Sequence, residues 1–125
     1  MRSRLRIATT VLGALFTLQG LGWLVNPALA ATGLGMPLLD GLGRSTQIGD
    51  FAVFFLTIGV TTLLGSRPGR TRWLLVPGCM LGGAAVARTL AWSLHGADFA
   101  ALFIVIEVAA AALLFTASQR LDANA

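Results

Sequence analysis

Two charges stand inside otherwise uncharged hydrophobic stretches of this chain, and they are the residues best placed to do chemistry. Arg88 interrupts the apolar stretch 73–94 and Glu107 the apolar stretch 99–115. A charge inside a membrane span costs at least about 2.5–3.5 kcal/mol, so it faces a partner or a polar cavity. Arg88 lies seven residues before His95 and Glu107 nine residues after Asp98, which is about 10 Å and about 13 Å along a helix. The short turn at 95–98 makes the two helices antiparallel neighbours. Their depths agree within the reach of an arginine side chain, and an Arg88–Glu107 ion pair is expected. Trp92, four residues after Arg88, is placed to stack on its guanidinium. Around Glu107, Ala100, Phe103, Ala110, Ala111 and Leu114 share one helix face, whose small residues allow close approach of another helix.

Two further polar residues fall in the same half of the bundle. Gln19 is twelve residues into the first apolar stretch, and Asp50 precedes the second. Each of four spans thus contributes one polar group toward one side. Two readings of this constellation stay open. One is a polar pocket in which Gln19, Asp50, Arg88 and Glu107 bind a ligand. The other is a structural ion pair that fixes helix register, with Asp50 a helix-start acid favourable to the helix dipole.

Other chemistries have little to stand on. All nine basic residues are arginine, so no lysine is present to form a Schiff base with retinal or pyridoxal phosphate. Cys79 is the single cysteine and His95 the single histidine, which excludes an internal disulfide and makes a His/Cys metal site a poor reading. Cys79 is expected as a small packed residue. No nucleophile–base constellation and no phosphate-binding glycine loop is identifiable, so neither catalysis nor a cofactor is expected. Gly78-Cys79-Met80-Leu81-Gly82, followed by Gly83, is a motif that lets helices pack closely, within the bundle or against a second subunit.

The elements that must position these residues are membrane helices. The chain is 56% apolar and 11% charged, whereas a soluble domain carries about 25% charged residues. Spans are expected over residues 7–25, 47–65, 73–95 and 98–117, forming one all-α four-helix bundle, because each apolar stretch approaches the 20 or so residues a crossing needs. A cleaved leader is the competing reading of the first, since Ala28-Leu29-Ala30 resembles a cleavage site, but the apolar run exceeds the usual 7–15 or so residues. Asn26-Pro27 ends the first span. Residues 26–47 are apolar but broken by Gly33, Gly35 and Pro37, and are expected as a short turn of helix and an interfacial flap over the bundle. Asp98 is expected to cap the last helix, and 118–125 reads as a polar tail.

Charge gives the orientation. Arg2, Arg4, Arg6, Arg67, Arg70, Arg72 and Arg120 lie on one side of the spans and Arg44 on the other. This bias places both termini in the cytoplasm of a bacterial inner membrane. It also accounts for the net charge of +4 without a nucleic-acid partner.

Three motifs carry a resemblance. Gly49-Asp50-Phe51 with the apolar run to Gly59, Ala87-Arg88-Thr89-Leu90 followed by His95-Gly96, and Ile106-Glu107 are similar to an uncharacterised bacterial family of small four-span membrane proteins, a domain of unknown function loosely DoxX-like. Asn26-Pro27-Ala28 fits the same pattern, over about residues 8–117 in all. The family pattern carries an arginine just before the Gly-Asp pair, where this chain has Ile48. The resemblance implies a four-helix membrane bundle and points to Asp50, Arg88 and Glu107; it implies no activity. The leading functional reading is therefore a polytopic membrane protein, surrounded by lipid, that binds a lipid, quinone or other amphipathic molecule in an outer-half pocket. The alternatives are an accessory subunit using the Gly78/Gly82 face, a proton-coupled exporter with Glu107 as its proton site, and an intramembrane isomerase with Glu107 as acid and base. The arginine bias argues against the exporter and the lone histidine against the isomerase.

Overall fold

The computed structural model describes residues 1–122. Four of its helices are long and apolar enough to cross a membrane, and a short fifth lies between the first two. In chain order these are α1 (Arg2–Val25), α2 (Pro27–Gly33), α3 (Gly41–Gly65), α4 (Leu75–His95) and α5 (Ala101–Asp122). A 3₁₀ turn, Thr71–Leu74, leads directly into α4. The chain is an all-α membrane-type bundle with an interfacial flap between its first two spans.

The outer surface explains the solvent. Leu18, Val53, Val86, Leu102 and Val105, drawn from all four long helices, are each at least 60% exposed. A large apolar surface of this kind is stable only against hydrocarbon or a partner. The buried faces recur every three or four residues. Thr9, Gly13, Gly20 and Trp23 face inward from α1, and Glu107, Ala110, Ala111, Leu114, Ala117 and Leu121 from α5. This is the spacing of a single helix stripe.

Packing is closest between α1 and α3, which run antiparallel. A Cβ added at Gly13 would stand 3.0 Å from Leu63 N, and one at Gly20 2.8 Å from Leu56 N. One at Gly59 would collide with the Thr17 backbone. Three glycines therefore bring two backbones into contact, the packing that membrane helices use in place of a hydrophobic drive. The α4/α5 pair is looser: the nearest approach to a Gly78 Cβ is the Phe115 ring, at 3.0 Å. Both pairs share a core through Ile58, Leu74, Leu81 and Leu114, all at most 2% exposed.

The two ends of the bundle differ. The Arg6 guanidinium donates to the Ser66 carbonyl, Ser66 Oγ donates to Thr9 Oγ1 at 2.8 Å, and Arg120 Nη1 reaches Met1 Sδ at 3.2 Å. The start of α1, the 66–70 turn and the end of α5 therefore share one end. The flap is at the other. Asn26 caps α2 by accepting from Leu29 N at 3.3 Å, with Pro27 at the first helical position, where its missing donor costs nothing. Gln47 then pins residues 37–39: Nε2 donates to Pro37 O at 3.0 Å and Oε1 accepts from Leu39 N at 2.9 Å. Leu34, Met36 and Leu38 pack around buried Trp23, Ala31, Ala52 and Phe55.

Several expectations about element boundaries are corrected. The second long helix starts at Gly41 rather than near Gln47, because Gln47 holds the loop back on the helix and the helix continues outward past it. Asp98 does not cap α5. That helix begins at Ala101, and Ala101 N bonds Phe99 O instead, with Phe99 drawn against Trp92 at 5.0 Å between ring centroids. Gly96 (φ 68°) provides the left-handed turn that ends α4, a conformation glycine adopts without a Cβ penalty. Cys79 is exposed rather than packed, lying on the opposite side of α4 from buried Leu81. The expected polar tail is helical through Asp122; its last three residues, 123–125, lie outside the described residues.

Candidate functional site

The half of the bundle away from the termini contains a cavity of about 570 Å³, within the ordinary 300–1,000 Å³ or so of small-molecule sites. Its walls come from all four long helices, and Leu34 of the flap contributes to its rim. Gln19, Asp50, Arg88 and Glu107 all line it. They arrive from α1, α3, α4 and α5 respectively, and the rest of the lining is apolar, mostly leucine and phenylalanine.

Glu107 and Arg88 are aimed by the buried stripes of their helices, whereas Asp50 and Gln19 stand at exposed positions of α3 and α1. Glu107 heads the buried α5 series and is 7% exposed. Arg88 lies one helical step beyond buried Pro77, Gly78, Leu81 and Ala85 of α4. The two meet: Arg88 Nε donates to Glu107 Oε1 at 2.9 Å and to Oε2 at 3.1 Å. Exposure is uneven, 35% for the arginine side chain and 10% for the glutamate. One donor thus serves both carboxylate oxygens, and the two terminal nitrogens of Arg88 have no hydrogen-bond acceptor among the described residues. The guanidinium lies over Phe103, 4.7 Å from the ring centroid. The aromatic partner of Arg88 is therefore Phe103, not Trp92. Trp92 is half-exposed and engaged with Phe99, because Arg88 must lean across to α5 to reach Glu107.

Asp50 is not a helix-start acid. It is the tenth residue of α3, about 13 Å from the helix start, so the favourable interaction with the first turn has faded. Trp23 stacks on Phe51 at 4.9 Å, which puts Asp50 level with the end of α1. Asp50 makes no side-chain hydrogen bond or ion pair among the described residues. The nearest arginine in sequence, Arg44, is turned away, with Nη2 on Asp40 Oδ1 at 3.1 Å and Nε on Leu39 O at 2.7 Å. Gln19 likewise has no side-chain partner among the described residues.

The glycines singled out in α4 take different places. A Cβ added at Gly78 would meet the Phe115 ring, one at Gly82 would stand 3.9 Å from the Ala111 Cβ, and one at Gly83 would face open space. The sequence reading missed Gly13, Gly20 and Gly59, which hold α1 against α3 and so set that wall of the cavity. Their spacing follows no short motif, and only the identity of the facing helix reveals them. It also missed the aromatic wall: Phe16, Phe51, Phe54, Phe55 and Phe103, five of the seven phenylalanines, line the cavity. Their clustering on α3 was a visible signal.

Among the described residues, no group of three His, Cys, Asp or Glu side chains could hold a metal ion. A larger cleft of about 970 Å³ at the opposite end has Arg2, Ser3, Arg6 and Pro68 in its lining; no acid lines it among the described residues, and it belongs to the basic ends of the spans. Comparison with known families, characterised proteins and solved structures finds no match to this chain.

Proposed function

We propose that this chain is a small binding protein of a bacterial inner membrane. Both termini are cytoplasmic, and an amphipathic molecule such as a lipid or a quinone occupies the outer-half cavity. Asp50, Arg88 and Glu107 orient its polar end and Gln19 assists. One observation carries the reading: four polar groups from four separate helices line one cavity with otherwise apolar walls. A structural clamp needs only Arg88 and Glu107, and it leaves Asp50 and Gln19 unexplained. Polar groups in a membrane interior are expensive and mark sites by default. The orientation is supported by seven arginines at the end shared by the termini against Arg44 at the other. The four-helix organisation is in keeping with the DoxX-like resemblance. The reading is of binding rather than catalysis, because no second acid–base pair among the described residues faces the charged pair.

The test is native mass spectrometry from mild detergent on the wild type and on Ala84→Phe, which fills the cavity from a half-buried lining position. Retention of one small-molecule mass by the wild type, lost in a variant with unchanged helicity, is the expected result. An empty wild type, or identical lipid adducts on both, would overturn the proposal.

A further inference from the structure

We infer that the ligand of this cavity is a lipophilic cation, a reading that rests on the binding function proposed above and names its chemical class. Three of the lining residues are charged: Arg88, Glu107 and Asp50. Arg88 and Glu107 neutralise one another through contacts of 2.9 and 3.1 Å. Asp50 is left over, so the lining carries one uncompensated negative charge. Arg44, the arginine closest to it in sequence, is engaged with Asp40 and the Leu39 carbonyl. Asp50 is an exposed side chain on the cavity lining, and a monocation brought beside its unpaired carboxylate is attracted by that charge. An anionic ligand would raise the net charge to two negatives. Its favourable partner, Arg88, already has a carboxylate.

The walls agree with the charge. Phe16, Phe51, Phe54, Phe55 and Phe103 line the cavity. Ring faces attract cations through their quadrupole, most strongly where water is excluded. One of these rings already receives a cation, since Phe103 lies 4.7 Å from the Arg88 guanidinium carbon. The remaining rings line the same otherwise apolar volume, against which a ligand's hydrophobic body is stable, with its positive centre toward Asp50.

Two ions of the same shape and opposite charge make the test. Tetraphenylphosphonium and tetraphenylborate are titrated onto the full chain in phosphatidylcholine nanodiscs, with protein-free discs subtracted. The expected result is saturable binding of the phosphonium, weakened at least tenfold by Asp50→Asn and held within about threefold by Asp50→Glu. Asp50→Glu keeps the charge and so separates loss of the carboxylate from loss of the fold. Phosphonium binding unchanged in Asp50→Asn would overturn the inference. Saturable binding of the borate, lost in Arg88→Gln, would also overturn it but leave the amphipathic pocket standing. Binding of neither ion would overturn the cation, and the pocket itself then stands or falls on the mass-spectrometric test of Ala84→Phe.

Discussion

Removing one member of the Arg88–Glu107 pair should destabilise the bundle unequally, and the structure gives the order. Breaking a fully buried ion pair costs about 3–5 kcal/mol, because the survivor is left charged without a partner. In Arg88→Ala the survivor is Glu107, whose side chain is 10% exposed, so about the full 3–5 kcal/mol is expected. In Glu107→Ala the survivor is Arg88, whose side chain is 35% exposed and keeps the Phe103 ring beneath it. That arginine can turn its free terminal nitrogens to the polar side of the cavity, and a loss of about 2–3 kcal/mol is expected after discounting for its access to solvent. The doubly exchanged variant Arg88→Glu/Glu107→Arg should recover at least half of the larger loss. The assay is reversible unfolding in mild detergent, followed by far-ultraviolet circular dichroism, for the wild type, both single alanine variants, their double variant and the exchange. Single losses that add in the double variant to within about 0.5 kcal/mol would show no coupling, and with it no pair. Glu107→Ala more damaging than Arg88→Ala would refute the reasoning from exposure.

Four further outcomes follow from the packing. Gly59→Ala drives a Cβ into the Thr17 backbone and should cost about 1–3 kcal/mol as α1 and α3 are forced apart. Gly83→Ala, facing open space, should be neutral or gain up to about 1 kcal/mol from helix propensity; both are read in the same unfolding assay. Gln47→Ala removes two hydrogen bonds that pin the flap, each of about 1 kcal/mol, so hydrogen exchange at the Leu39 amide should accelerate roughly thirtyfold. Thr62→Val deletes a fully buried hydroxyl that has no partner among the described residues while keeping the side-chain shape, and the melting temperature should hold or rise.

The sequence exposes the spans because hydrocarbon demands long uncharged runs, and it exposes Arg88 and Glu107 because charge is conspicuous inside such runs. Their pairing was also legible, since a tight turn fixes the antiparallel register of neighbouring helices. What lies between helices distant in sequence was not. Gly13, Gly20 and Gly59 read as three isolated glycines until α1 and α3 are seen face to face, whereas the conspicuous Gly78/Gly82 motif has looser neighbours. Trp92 and Phe103 were equally able to meet a guanidinium by type, and only the lean of Arg88 toward α5 selects between them. Of the two readings of Asp50, the helix-start acid fails because the start of its helix depends on Gln47 folding back onto Pro37 and Leu39, a contact no local propensity encodes.

The central claim is that the cavity holds one kind of molecule rather than bulk lipid, and photocrosslinking in the intact membrane tests it most directly. A benzophenone amino acid replaces Phe54, which lines the cavity. In a second variant it replaces the neighbouring Val53, which is 62% exposed on the bundle surface. After irradiation, mass spectrometry of the adducts should find a single dominant species at position 54 and the mixture of membrane lipids at position 53. The same lipid mixture at both positions would contradict the claim.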